Sequence, residues 1–302
     1  MTGRGGRSGG GAEPDEAPEG EAADEALDEV PEEEALGEEV LDEEAALRRW
    51  RELADGSVLL DGFHALKHAL RFEARVPLAL TTDRSAALAL ARDLAPDLTG
   101  VLGGLLRPVS AEALRGLLPR PHPTGVAALA VRGSGVGPRR AARARTRAAA
   151  EPGRGPARTA PLVVLDEPRH LGNVGAVIRV AAGAGAAGVL TTGTLDPWHP
   201  NVVRAGAGLH FATLVEARDL GELPQGPLYA LDPEGEDLRG LTLPDGVLLA
   251  FGSERRGLTP ELRARADRLV SLPMRPEVSS YNLATSVAMT LYHWMAGRGG
   301  AG

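Results

Sequence analysis

Leu162-Val163-Val164-Leu165-Asp166-Glu167-Pro168-Arg169-His170-Leu171-Gly172-Asn173-Val174-Gly175-Ala176-Val177-Ile178-Arg179 is the stretch whose reading decides the fold. The four apolar residues at its start have the length and branching of a buried strand. Pro168 and Gly172 then punctuate a turn. Asn173 stands where a helix N-cap belongs, ahead of a run of good helix formers. A strand, a loop and a capped helix put the loop at the C-terminal edge of a sheet, where α/β folds bind their ligands. Arg179 lies inside that helix and is read as functional.

The same alternation continues outward to about residue 297. Strands are expected at Gly188–Thr192, Ala212–Glu216, Leu228–Leu231, Val247–Phe251 and Leu269–Leu272, and a long helix from Tyr281 to Met295. Strands separated by helices predict an α/β fold with a mostly parallel sheet covered on both faces. One literal G-x-G-x-x-G occurs, Gly183-Ala184-Gly185-Ala186-Ala187-Gly188. It ends a helix and leads into a strand, the reverse of the order a dinucleotide site requires, so it is read as a helix C-cap and tight turn. Three other stretches each follow a strand: Asn173-x-Gly175-x-x-x-Arg179, then Gly252-Ser253-Glu254-Arg255-Arg256-Gly257, then Leu272-Pro273-Met274 with Ser279-Ser280-Tyr281-Asn282 opening the last helix.

The N-terminal part differs. Residues 1–44 hold 17 acidic residues against two arginines, whereas the rest holds 24 acidic residues against 31 basic ones, so the net charge of −8 conceals an acidic tail on a basic body. Residues 1–45 carry too little apolar surface to offset their ordering entropy and are expected to be a disordered tail. Residues 46–132 read as a small α/β domain. Within it, Phe63, Leu66 and Leu70 share one helix face, and His64, Lys67, His68 and Arg71 form a basic stripe on another. Such a stripe suits phosphate contacts. Residues 133–160, Gly-, Pro- and Arg-rich, are expected to be a basic flexible linker, and residues 161–297 the second domain. With no cysteine, disulfides and thiol nucleophiles are excluded. No apolar run approaches the length of a membrane span, and the expected location is cytoplasmic.

In their order and context, the three stretches resemble the SpoU branch of the SPOUT superfamily, the RNA ribose 2′-O-methyltransferases. Asp196-Pro197-Trp198-His199-Pro200 and Val203-Arg204-Ala205-Gly206-Ala207-Gly208 extend the resemblance. Residues 57–131, opening with Leu60-Asp61-Gly62-Phe63-His64-Ala65, resemble the ribosomal-protein-like domain that some members use to grip RNA. The resemblance implies a C-terminal trefoil knot, S-adenosylmethionine as cofactor, an RNA partner (ribosomal RNA favoured over tRNA) and a homodimer, with no metal and no membrane. It assigns cofactor contacts to Gly252, Leu272 and Tyr281, and catalytic roles to Arg179, Asn173, Glu254, Ser280 and Asn282. Arg204 is then expected at an RNA phosphate, as are His64, Lys67, His68 and Arg71. A guanidinium stays protonated at working pH, so the role expected of Arg179 is electrostatic, beside the ribose 2′-hydroxyl. Glu254 is expected to hold the knot loops or Arg179. Gly206, Arg255 and Tyr281 depart from the residues usual in the family, and the first two, with the basic linker and basic body, leave a non-catalytic RNA-binding or ribosome-assembly factor as the alternative.

Overall fold

The computed structural model describes residues 42–118, 120–137, 139 and 158–299. The acidic tail up to residue 41, and residue 138 and residues 140–157 of the expected linker, lie outside the described residues.

Asp42 caps the first helix, α1 (Glu43–Ala54), by accepting from the Ala45 N–H, so helix begins inside the segment assigned to the tail. Strand β1 (Ser57–Asp61), α2 (Phe63–Arg71), β2 (Leu78–Thr81), α3 (Arg84–Leu94), α4 (Thr99–Leu105), β3 (Leu106–Pro108), α5 (Ala111–Leu117) and β4 (Val126–Val131) follow. They build a four-stranded sheet in the order β1-β4-β2-β3, with β4 antiparallel to both neighbours and β2 parallel to β3. On α2 the apolar stripe is buried, with Phe63 and Leu66 fully inaccessible. Each such side chain contributes roughly 1.5–3 kcal/mol.

The second sheet comprises β5 (Leu162–Leu165), β6 (Gly188–Thr191), β7 (Leu214–Ala217), β8 (Leu228–Asp237), β9 (Leu248–Phe251) and β10 (Arg268–Ser271). Its order is β10-β8-β9-β5-β6-β7, and every neighbouring pair is parallel. Its helices are α6 (Leu171–Ala184), α7 (Pro200–Ala205), α8 (Pro260–Arg265) and α9 (Leu283–Gly299). The period of two along β5 sorts the layers. Val163 and Leu165 join Val174, Ile178 and Leu291 of α6 and α9 on one face. Leu162 and Val164 join Leu262 of α8 on the other. The cluster on the α6 side continues into Leu60, Phe63 and Leu102 of the first sheet's layer, so the two sheets share a core.

Several expectations are corrected. Helix α6 starts at Leu171 with His170 at the N-cap position, so Asn173 lies in the first turn and is not the cap. The last helix starts at Leu283, two residues later than expected, because Asn282 is spent as its cap, accepting from the Ala284 N–H at 2.9 Å. Strand β8 runs on to Asp237 through polar residues that pair with β10 across a register shift at Leu269/Val270, a tertiary pairing that composition does not announce. The start of the expected flexible linker is packed chain. Gly135 and Gly137 are buried, and a Cβ on Gly137 would collide with the Thr213 backbone. The G-x-G-x-x-G behaves as read, with Gly185 the left-handed C-cap of α6 at φ 72°.

Candidate active site

The C-terminal ends of β5, β9 and β10 converge. Asp166, the first residue after β5 and 2% exposed, accepts from the Thr192 hydroxyl at 3.0 Å and from the Thr259 N–H at 2.7 Å. One carboxylate thereby ties the loop after β9 to the edge of β5 and β6. The loop after β9 closes on itself, Ser253 and Gly257 exchanging backbone hydrogen bonds of 2.9 and 3.0 Å. A Cβ at Gly252 would collide with the backbone of Gly257 and Leu258, so the loop's own return requires glycine there.

These loops and the start of α9 enclose a cavity of about 610 Å³, within the range of small-molecule sites. Gly252, Leu272 and Tyr281 line it, as do Asn173, Glu254, Ser280 and Asn282. Three of these side chains, one from each motif stretch, form a chain. Asn173 Nδ2 donates to Glu254 Oε1 at 2.8 Å, and Asn282 Nδ2 donates to Asn173 Oδ1 at 3.2 Å. Missing the cap position freed Asn173 for this link. Glu254 therefore holds Asn173 and not Arg179. Leu231, Phe251 and Val270 give the cavity an apolar wall, while Asp232 and Ser253 add polar groups. An apolar wall beside backbone and polar side-chain groups fits an adenosine-bearing ligand.

Arg179 is elsewhere. Six residues along α6 turn its side chain about 120° from that of Asn173. Arg179 lines a separate pocket of about 400 Å³ with Lys67, His64, His68 and Arg204, and the two cavities share no lining residue. Arg204 pairs with Asp61 at 2.9 Å. His68 Nδ1 donates to the Ala207 carbonyl at 2.8 Å, and burial holds its pKa below the ordinary imidazole value despite that bond. Burial lowers His64 as well, helped by the charges of Lys67, His122 and Arg179. Arg71, the last member of the stripe, is not in the pocket; it forks onto Asp97 with bonds of 3.0 and 2.6 Å. Asp61 and His122, which do belong to the pocket, were missed in the sequence. The only signal for Asp61 was a carboxylate ending an apolar strand; His122 sits in a Pro-rich loop that carries none.

Residues 160–292 match the model of the SpoU rRNA Methylase family. This segment is a SpoU methylase domain. Among relatives of the chain, the 23S rRNA (uridine(2479)-2′-O)-methyltransferase of Streptomyces viridochromogenes is 32% identical over 145 residues, covering 43% of this chain and 50% of that protein. The chain spans about half the length of the curated relatives it matches. A crystal structure of an RNA 2′-O ribose methyltransferase superposes with a TM-score of 0.60 at 28% identity, covering 84% of this chain and 93% of the other. The SpoU methyltransferase AviRb from Streptomyces viridochromogenes, in complex with AdoMet, gives a TM-score of 0.63 at 22% identity, covering 84% and 99%, a likeness of fold. The SpoU domain contains the whole 610 Å³ cavity, whereas the Arg179 pocket is closed by α2 and the 120–124 loop, which lie before it.

Proposed function

We propose that the chain is an S-adenosylmethionine-dependent RNA methyltransferase acting on a ribose 2′-hydroxyl, with ribosomal RNA favoured over tRNA. The observation that carries this is the Asn173–Glu254–Asn282 chain at the rim of the cavity lined by Gly252, Leu272 and Tyr281. It joins, through side chains, three stretches that only the family resemblance had joined before. The names of the relatives and of the superposed methyltransferases support the same reading.

In this reading Gly252, Leu272 and Tyr281 hold the cofactor, which supplies an electrophilic methyl group when bound. Asn173, Glu254, Ser280 and Asn282 fix the rim and orient the substrate. Arg179 favours the developing negative charge on the ribose oxygen. His64, Lys67, His68 and Arg204 grip the RNA, and Arg71, committed to Asp97, is left out. The segment from Gly252 to α9 would be knotted, with the loop after β9 as part of the knot.

Arg179 and the cavity face different ways on one α6, so the reading also needs a homodimer that brings the Arg179 of one copy to the cavity of the other. Tyr292 and Met295 of α9, 71% and 42% exposed, are apolar surface available to such a contact. No described helix is long and apolar enough to cross a membrane, and a cytoplasmic location is part of the proposal.

Titration calorimetry with S-adenosylmethionine, followed by transfer of labelled methyl to ribosomal RNA, tests the reading. Binding and transfer are expected. An absence of cofactor binding would favour the non-catalytic RNA-binding factor.

A further inference from the structure

A third cavity, of about 380 Å³, opens between the N-terminal sheet and the SpoU domain. Trp50, Val58 and Leu129 line one side of it, and Asp196, Trp198 and Pro200 the other. Arg132, the residue after β4, joins the two sides. The methyltransferase reading uses none of these side chains.

Trp198 is held from behind. Its Nε1 donates to the Val215 carbonyl at 3.1 Å, and its ring packs on Phe211 with centroids 5.4 Å apart. The Arg132 guanidinium lies over that ring, 5.5 Å from the centroid, and donates to Asp196 Oδ1 at 3.3 Å. The same Oδ1 accepts the Trp198 N–H at 3.0 Å, which fixes the carboxylate beside the ring. Among the described residues, Asp196 Oδ2 accepts no hydrogen bond and the Arg132 guanidinium donates no other. Both side chains are 53% exposed. A pair so open to solvent is screened and makes a weak clamp.

A nucleobase has the complementary form. Its faces stack on aromatic rings and guanidinium planes, and its edge carries hydrogen-bonding groups. The open carboxylate oxygen can only accept, so it selects among edges. It suits the exocyclic amine of cytosine. The carbonyls of uracil would set oxygen against oxygen, and a phosphate would meet a like charge. The cavity also lies close to the Arg179 pocket, because β1 and α7 run from one to the other. Val58 lines the first and Asp61 the second, about 10 Å apart along a strand. Pro200 and Arg204 do the same about 6 Å apart along α7.

We propose that this cavity is a base-reading site, which takes one unpaired, amine-bearing nucleobase stacked at Arg132 over Trp198 with its amine on Asp196 Oδ2. That the base belongs to the strand being methylated rests on the methyltransferase reading, and it then lies only a few nucleotides from the modified ribose.

The test uses the full chain with short strands of oligoribocytidine, oligouridine and an abasic ribose-phosphate of the same length. Affinity and tryptophan fluorescence are followed. The parent is expected to bind the cytidine strand roughly tenfold tighter than the abasic one, with quenching, and several-fold tighter than the uridine strand. Arg132→Lys keeps the charge but removes the plane. It is expected to lose the quenching and the tenfold preference while abasic and cofactor affinities hold. Asp196→Asn can keep Oδ1 for the Trp198 N–H while placing an N–H donor at the Oδ2 position, so the preference is expected to turn towards uridine. Equal affinity of the parent for the three strands, or a preference unmoved by both substitutions, would overturn the proposal. So would an equal loss for all three strands in both variants, which would make the pair a clamp between the domains. Methyl transfer without any base preference would overturn the base site and leave the methyltransferase reading. The predicted preference in a chain that never transfers methyl would do the reverse.

Discussion

The two cavities on either side of α6 are built in opposite ways. The 610 Å³ cavity is assembled at strand ends from loops that read as motifs, its polar groups paired with one another through Asn173. The Arg179 pocket is assembled from α2, the 120–124 loop, α6 and the α7 region, and its cations outnumber their partners. The first is preorganised and satisfied in the chain alone, as suits a small cofactor. The second is lined by Lys67, Arg179 and Arg204 against the one carboxylate of Asp61, as would suit an anion. The contrast implies that changes in the pocket should affect RNA and turnover while sparing the cofactor, and that changes in the cavity should affect both.

The sharpest way to break that contrast is Arg179→Ala. If its charge favours the developing alkoxide, removing it should lower kcat by roughly 10²–10³-fold. Cofactor affinity should not move, because Arg179 does not line the cavity. A parallel loss of cofactor binding in calorimetry would merge the two regions and contradict the division.

The next largest effect concerns the support beneath the pocket. His210 is buried, donates through Nε2 to the Pro197 carbonyl at 3.0 Å, and packs against Gly206, close to Arg204 and Ala207. Burial pushes its pKa down to about 4, against the opposing influence of that bond and of Asp196. The folded chain thus binds fewer protons than the unfolded one, so stability is intact above pH 6.5 and declines as the pH falls towards 4. The loss should reach about 3 kcal/mol, measured by urea unfolding at several pH values. His210→Gln should flatten that dependence; an unchanged slope would remove His210 from the account.

Asn173→Ala should come third. It strands Glu254 and Asn282 and is expected to cost about tenfold in both cofactor affinity and kcat. An effect on kcat alone would move Asn173 from the cavity to the substrate. The smallest effect is expected from Arg71→Ala. Its pair with Asp97 is exposed and screened by solvent, so stability and RNA affinity should both stay at the parental values. A clear loss of RNA affinity would return Arg71 to the RNA surface.

The same contrast explains what could be read in the sequence. The parallel sheet was legible because β5, β6 and β9 are apolar runs bounded by turns, and the decoy at Gly183–Gly188 was separable because it precedes its strand. The cavity was legible because its residues sit within a few positions of strand ends. Asn173 was found for the wrong local reason: an amide that can cap a helix can equally bridge two loops, and only the tertiary partners Glu254 and Asn282 decide. The pocket was half legible. Helical spacing gave His64, Lys67 and His68, but it cannot tell that Arg71 turns to Asp97, nor that Asp61 and His122 close the far wall. The polar half of β8 was unreadable, since it is a strand only by pairing with β10.

The most direct test of the central claim is the chemical position of the methyl group. Ribosomal RNA incubated with the chain and methyl-labelled cofactor is hydrolysed in alkali, which cleaves only next to a free 2′-hydroxyl. The account predicts label in alkali-resistant dinucleotides, and none with Arg179→Ala. Label released on mononucleotides carrying methylated bases, or no label with cofactor bound, would contradict it.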